Sequence, residues 1–545
     1  MSDLTDQAAA ALSQGQMGQA ASLARQALNE DPEDAEAKGL LGLVDLRQSK
    51  LRTALPMLSE AIQAGAENSE LPSALSHVYA RMNGTEATLS HLKGLLVHRP
   101  TFTALRLVLA QLYYEFDRPE EELAICEDGI AAGDGSSELQ LIKGRALIAC
   151  ERPEDAAKVL EALVEQDKSD PTGAYLLGVA LRGAGHLKEA RDAQLEAMRR
   201  VPFYAPSLYL YMRSGRVAED DPVFAKFDQL ETILTGASDD DAGYYHAAMG
   251  KAFEDLGRYD EAWTHYAHGA RAQKRTLKYQ RRNIEGRFER VKALFSAQLI
   301  EQFRGLSNSE ARPIFIIGMP RSGSTLLERI LSAHKDVQGL GELLELEKLS
   351  NPWIEKALTG NLDRPELARI SETYWESAQH RAGCGDTVLV DKGLHNFFFV
   401  GMIHLLFPKA TILHTMRDPL DTCFSCFSLR FAKGHTWSND LGDLAHYYRH
   451  YHSLMHHWDE VLPGRVVSVR YEDLATDFET NVRRILDACD LPWDPACLNF
   501  HEAGGVVRTA SATQVREPVN TKSIGRWQSF EPHLKALKTE LAEFQ

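Results

Sequence analysis

The chain divides into two patterns of apolar and polar positions. Through the first half, apolar residues recur at helical spacing between short polar turns, and small residues return at a fixed distance. Ala20 and Ala54 are 34 residues apart, as are Ala156 and Ala190, and Ala20 to Ala156 is four such steps. Pro32, Pro100 and Pro202 keep the same phase, and Gly42, Gly144 and Gly178 each stand twelve residues before one of those alanines. Gly250 and Ala262 repeat the twelve-residue spacing in a shifted frame, while 205–238 keeps the period poorly and reads as an irregular insertion. Small residues let the two helices of a hairpin approach closely and proline ends the second helix. Each hairpin leaves an apolar face for the next to cover. The second half changes character. Short apolar runs at 314–317, 387–390, 411–416 and 466–469 are separated by helical stretches, the alternation of a parallel sheet flanked by helices.

A 34-residue period with Leu-Gly early, alanine in the middle and proline at the end resembles the tetratricopeptide repeat. The predicted organisation is an α-helical repeat solenoid over 1–275, a linking helix over 276–311 and an α/β domain over 312–545. The charged run from Arg281 to Arg290 reads as the solvated face of that linking helix. Arrays of this kind offer a concave surface to peptides or partner proteins. The alternative, that this one only supports the second domain or makes it a homodimer, stays open.

Two anion-binding motifs stand in the second half. Pro320-Arg321-Ser322-Gly323-Ser324-Thr325 directly follows the first apolar run and leads into Leu326-Leu327-Glu328-Arg329-Ile330-Leu331. This reads as strand, tight turn and helix start, where converging N–H groups and the helix dipole favour a phosphate-like group. Gly318 and Gly323 are spaced as in a nucleotide-binding Walker loop, but Ser324-Thr325 stands where Lys-Ser/Thr belongs. Arg321 supplies a cation from inside the loop instead, and a guanidinium can hold two oxygens of a phosphate or sulfate side by side. The missing lysine argues against an ATPase or GTPase; a bare Gly-Ser turn before a core helix is the alternative. In the second motif, the run 411–416 ends in Arg417-Asp418-Pro419, a plausible helix cap followed by a first helical proline. Ser425 lies eight residues after Arg417, about two helical turns, so both could reach one phosphate.

Together these segments resemble the sulfotransferases that use 3′-phosphoadenosine 5′-phosphosulfate (PAPS), and so imply a P-loop-like sulfotransferase fold. Further segments resemble the tyrosylprotein sulfotransferase branch: Gly341-Glu342, Asp391-Lys392, Tyr471-Glu472, and Ser511 to Asn520 with its Gln514-Val515 and Pro518-Val519-Asn520. The resemblance covers roughly 312–530. It implies that Ser322, Gly323, Ser324 and Thr325 cradle the 5′ group and that Arg417 and Ser425 take the 3′-phosphate. It further implies that Arg321 holds the moving sulfuryl group and that Lys392 contacts the bridging oxygen. Glu342 is the implied base, with His395, three residues beyond Lys392, as the rival. Ser511 would hydrogen-bond the sulfuryl region. Tyr471 either lies near the nucleotide or is a core tyrosine at a strand end, and Arg526-Trp527 either closes over the donor or is a surface arginine beside a packing tryptophan. The eukaryotic members of that branch carry a membrane anchor and a disulfide pattern that this chain does not show. The long helical region before the catalytic part resembles bacterial sulfotransferases with tetratricopeptide repeats.

Composition narrows the picture. The chain has 545 residues, 44% of them hydrophobic, enough for two or more real cores. A net charge of −17 disfavours nonspecific nucleic-acid binding, so a PAPS site must be locally basic. Seven cysteines do not suggest a disulfide scaffold, and Cys423-Phe424-Ser425-Cys426 reads as two helix-packing thiols. The N-terminus has neither a basic start nor an apolar signal core, and no apolar run of about eighteen residues exists, so a cytoplasmic protein without a membrane span is predicted. No metal is expected, since clustered cations and N–H groups can stabilise the leaving phosphate. The predicted activity is transfer of a sulfuryl group to a tyrosine of a peptide or protein. A small phenol, carbohydrate or lipid hydroxyl is the alternative acceptor. A phosphoryl-transfer enzyme and a repeat scaffold with a non-catalytic nucleotide-binding domain are the alternatives of other classes.

Overall fold

The computed structural model describes residues 3–226, 232, 236–305, 309–361, 363–383, 385, 387–431, 434–502 and 514–544. The chain forms two compact units, Met1–Val201 and Pro202–Gln545.

The first unit is a run of antiparallel helix pairs, from Asp3–Ser13 with Met17–Glu30 to Pro171–Ala184 with Leu187–Arg200. Its period is written in steric contacts. A Cβ on Gly42 would stand 2.8 Å from Leu58, and one on Gly144 would stand 2.6 Å from Leu160, the same sixteen-residue offset in both hairpins. Ala54, Ala156 and Ala190 are each fully buried at the matching place in the second helix. The turn inside each hairpin needs a left-handed residue. Gly15, Ser49, Asp117, Glu151 and Gly185 fill it with φ of 76°, 60°, 54°, 60° and 98°, all spaced by 34 or 68 residues. Pro119 and Pro153 then open the following helices at a position that needs no N–H donor.

The second unit is built on a five-stranded, all-parallel sheet in the order β2-β3-β1-β4-β5. The strands are β1 (Ile314–Gly318), β2 (Val337–Gly339), β3 (Val388–Asp391), β4 (Thr411–Met416) and β5 (Val466–Arg470). All five residues of β1 are buried, as its uninterrupted apolar run requires of a central strand covered on both faces. The sequence pattern anticipates four of these strands. It misses β2, three residues ending in glycine at the sheet edge, too short for any periodicity to register.

Helices at 205–303 also pack in this unit. The pair Asp239–Asp255 and Tyr259–Thr276 keeps the hairpin geometry of the repeats, with Gly250 facing Tyr266 across the same sixteen residues. It packs against the helix Pro419–Phe427 and the segment Arg526–His533 through Trp263 on Phe427 (ring centroids 5.3 Å) and Tyr266 on Phe424 (6.3 Å). Residues 281–303 form two helices rather than one. They bury Phe288, Phe295 and Phe303 against Phe398, Trp458 and Trp353. Periodicity and compactness therefore divide the chain at different places, because helices of repeat type here supply apolar cover for the α/β core. Among the described residues, no helix is long and apolar enough to cross a membrane.

Candidate active site

In open parallel sheets ligands lie beyond the carboxyl ends of the strands, where neighbouring connections depart in opposite directions. Here the first connection from β1 leads towards β2 and β3 on one side, while β4 pairs β1 on the other. The loop after β1 and the loop after β4 therefore meet.

The β1 loop is shaped by close approach. Gly318 has φ 144°, and a Cβ there would meet the Thr415 carbonyl at 2.6 Å, so the loop lies directly on β4. Arg321 is held in a left-handed conformation at φ 71°, and Gly323, at φ 102°, caps the helix Ser324–Ser332. Ser322 Oγ bonds the Met319 carbonyl and Thr415 Oγ1, both at 2.7 Å, and fixes the turn from within. Ser324 and Thr325 are buried in the first helical turn.

The second motif joins the first in one cluster. Arg321 Nε donates to Ser425 Oγ at 3.0 Å, and Arg417 Nη1 donates to the Arg321 carbonyl at 3.3 Å. Asp418 caps the helix Pro419–Phe427 by accepting from the Asp421 N–H at 2.8 Å, which carries Ser425 to this spot two turns later. Arg417 lies over the Tyr471 ring at 5.1 Å, and the same ring sits 3.0 Å from where a Gly323 Cβ would stand. Tyr471 thus braces both motifs. Asp421 pairs with Arg417 at 3.5 Å and accepts from the backbone of Gly525 and Trp527, tying the segment 525–527 to the cluster. On the other flank a cavity of about 190 Å³ is lined by Met319, Ser322, Thr415, Arg417, Tyr451 and His456.

This corner carries surplus positive charge. Burial, and then repulsion from Arg213, Arg417 and Arg526, push the Arg321 guanidinium below its ordinary value. Arg417 Nε is buried without a hydrogen-bond partner. An anion placed here relieves the repulsion and satisfies that donor. The loop geometry and the donor set fit a phosphate-bearing group.

A third group lies at the end of β3. Lys392 is 2% exposed, and its Nζ donates to Glu342 Oε1 at 2.7 Å, with Glu328 Oε2 at 3.9 Å. Backbone bonds from Leu340 to Val390 and from Lys392 to Gly341 carry the β2–β3 pairing on to this pair. Glu328 accepts from the Gly341 N–H at 3.0 Å and orients the turn before Glu342. Burial raises the Glu342 carboxyl, but Lys392, with His395 and His435, outweighs it and holds the group below its usual range. The Glu342 side chain keeps 55% of its surface in solvent, open to an incoming acceptor. Burial pushes the His395 imidazole down to about 4, so it is neutral at physiological pH. Behind Lys392, Asp391 accepts from Tyr374 and Asn396 and from the Gly393 N–H, which fixes the strand end.

The structure thus brings together Arg321, Ser322, Gly323, Ser324, Thr325, Arg417, Ser425 and Tyr471 in one cluster, and pairs Lys392 with Glu342, His395 lying close by. Ser511 lies outside the described residues. Cys423 and Cys426 are buried helix-packing thiols. Arg526 is half-buried: it pairs with Glu254 (Nη2–Oε2 2.6 Å) and donates to Ser428 Oγ at 3.0 Å. Two neighbours escape the sequence reading. Arg213 comes from a helix in the poorly periodic stretch, and His435 follows the second motif in a loop with no distinguishing spacing. His435 meets His395 at a tilt and Trp437 edge-on, both with ring centroids 5.3 Å apart, and Phe431 meets it at 4.4 Å, so an aromatic wall stands beside the Lys392–Glu342 pair. The buried His435 Nδ1 has no hydrogen-bond partner.

Residues 313–495 match the sulfotransferase family model, and 5–69 and 143–205 match a tetratricopeptide repeat model. An uncharacterized protein of Aquifex aeolicus is 28% identical over 420 residues, covering 73% of this chain and 54% of its own. A protein-tyrosine sulfotransferase of Drosophila melanogaster is 28% identical over 40% of this chain and 48% of its own length. Protein-tyrosine sulfotransferase A of Caenorhabditis elegans is 26% identical over 39% and 60%. The chain spans about half the length of the curated relatives it matches.

Proposed function

We propose that this chain, a tetratricopeptide-repeat protein with a sulfotransferase-family domain, transfers a sulfuryl group from PAPS to the phenolic hydroxyl of a tyrosine in a peptide or protein. The observation that carries the reading is the joining of the two anion motifs: Arg321 bonds Ser425, Arg417 bonds the Arg321 carbonyl, and the Lys392–Glu342 pair stands at the end of the adjacent strand. In this reading Ser322, Gly323, Ser324 and Thr325 hold the 5′ end of the donor, while Arg417 and Ser425 hold its 3′-phosphate. Arg321 steadies the sulfuryl group in flight.

Glu342, kept ionised by Lys392, accepts the phenolic proton as the new S–O bond forms. Lys392 neutralises the charge that builds on the bridging oxygen as the old S–O bond breaks, and the 3′-phosphoadenosine 5′-phosphate leaves as product. Ser511 assists at the sulfuryl group. A phenol is favoured over an aliphatic hydroxyl by the rings of His435, Phe431 and Trp437 beside the base and by the named activity of the relatives. The repeats supply a surface of the kind that binds peptides or protein partners. No step requires a metal.

The test is nucleotide selectivity followed by label transfer. 3′-Phosphoadenosine 5′-phosphate should raise the melting temperature where ATP with magnesium does not. Arg417→Ala should weaken that nucleotide by about 1.5–3 kcal/mol, roughly ten- to a hundredfold, the loss of charge-assisted hydrogen bonds. Labelled donor added to cell extract should mark protein. Equal stabilisation by ATP with magnesium, or unchanged affinity in Arg417→Ala, overturns the donor assignment; label entering only small molecules overturns the acceptor.

A further inference from the structure

One cluster of ligating side chains takes no part in the reaction just described. Glu285, on the helix Arg281–Leu294, meets His446 and His450, one turn apart on the helix Leu441–Val461. One ligand atom from each lies within 4.8 Å of the others. Two histidines at i and i+4 share a helix face, and this pairing with a carboxylate from a second element is a donor set for a divalent transition metal.

The surroundings prepare the three groups. The Tyr279 hydroxyl is 2.9 Å from His446 Nδ1, so a His446 that binds through Nε2 can donate its Nδ1–H to that oxygen, the outer partner that orients a metal-bound imidazole. The His450 ring stacks on buried Phe288 at 5.7 Å, and the two imidazoles lie 4.6 Å apart. The nearby cations are already engaged: Arg281 bonds Asp443 at 2.7 Å and Arg449 bonds Glu540 at 2.8 Å.

We propose that Glu285, His446 and His450 form a zinc-class metal site that clamps the helix Arg281–Leu294 to the helix Leu441–Val461. Zinc sits about 2.0–2.2 Å from nitrogen and oxygen ligands, so the three atoms close in by small side-chain rotations, and water completes the tetrahedron. Nitrogen ligands select against magnesium and calcium. Its residues are not those assigned to sulfuryl transfer, so the site stands or falls apart from that reading.

The experiment uses the untagged full-length chain, stripped with chelator and titrated with zinc by calorimetry and with cobalt by visible absorption. Wild type should bind one equivalent that His446→Ala/His450→Ala lacks, with a rise in melting temperature on zinc that the variant also lacks. Glu285→Gln should bind at least tenfold more weakly, and Tyr279→Phe about tenfold. His450→Gln, a conservative change at a half-buried position, serves if the double variant does not fold, and should also lose the equivalent. Retention of the same stoichiometry and affinity in these histidine variants, or no zinc binding by wild type, overturns the proposal.

Discussion

The repeat array and the α/β unit solve their structural problems in opposite ways. In the array each solution is used repeatedly: glycine facing the residue sixteen positions on in Gly42 and Gly144, and a left-handed turn at Ser49, Asp117 and Glu151. Around the sheet of the α/β unit each solution is used once. One loop lies on β4, one arginine bonds one serine, and one lysine is paired with one glutamate. Repetition spreads the consequence of any one residue over several hairpins, whereas a site of single-copy parts concentrates it.

Glu342 should break this contrast most sharply. Glu342→Gln keeps the side-chain shape and a hydrogen bond from Lys392 but cannot take a proton. Turnover should fall by about 10²–10⁴, the usual worth of a general base, with nucleotide affinity unchanged in calorimetry. His395→Ala should keep most of the activity. The reverse pattern would move the base to His395, which lies close enough to influence Glu342 directly.

What the sequence showed, and what it hid, follows the same division. The repeat was legible because sterics force the same small residues at every period, and the two anion loops because a tight turn against β4 leaves few residue choices. The pairing of Arg526 with Glu254 was not legible, since 272 residues separate them and no local pattern marks an ion pair at such a distance. The same holds for Arg213 and His435, whose importance comes only from what the fold places beside them. The fate of helices 239–276 was hidden for the converse reason. Their repeat-like spacing is real, as Gly250 against Tyr266 shows, but periodicity does not say against which core the hairpin packs.

Acid should separate the two units next most strongly. In the α/β unit, burial lowers His246 and His414 to about 3, and His265, His395, His404 and His435 to about 4. In the array, burial lowers His91. An imidazole whose folded pKa is depressed binds fewer protons folded than unfolded. Its stabilising contribution is present above the unfolded value of about 6.5 and lost as pH falls towards the folded value. All seven tryptophans fall at or after residue 263, so their fluorescence reports the α/β unit, while far-ultraviolet dichroism weighs the helices of both. Between about pH 6 and 4 the fluorescence transition should come first. Earlier loss of helix signal would show that the array carries the greater acid sensitivity, and coincident transitions that the buried histidines do not set the two units apart.

The smallest expected effect makes the sharpest comparison, because one backbone conformation occurs in both units. Glu151 and Arg321 hold φ of 60° and 71°, a region that costs a residue with a Cβ roughly 1–2 kcal/mol. Glycine removes that cost and returns part of it as extra freedom of the unfolded chain. Glu151→Gly should therefore stabilise the array by about 0.5–1 kcal/mol in urea denaturation, with turnover unchanged. Arg321→Gly relieves the same backbone strain but deletes the guanidinium that bonds Ser425. It should leave stability nearly level or slightly raised while turnover collapses. If Arg321→Gly instead destabilises the fold as much as it harms turnover, the left-handed arginine is a structural support, and its conformation is not strain held for the sake of the site.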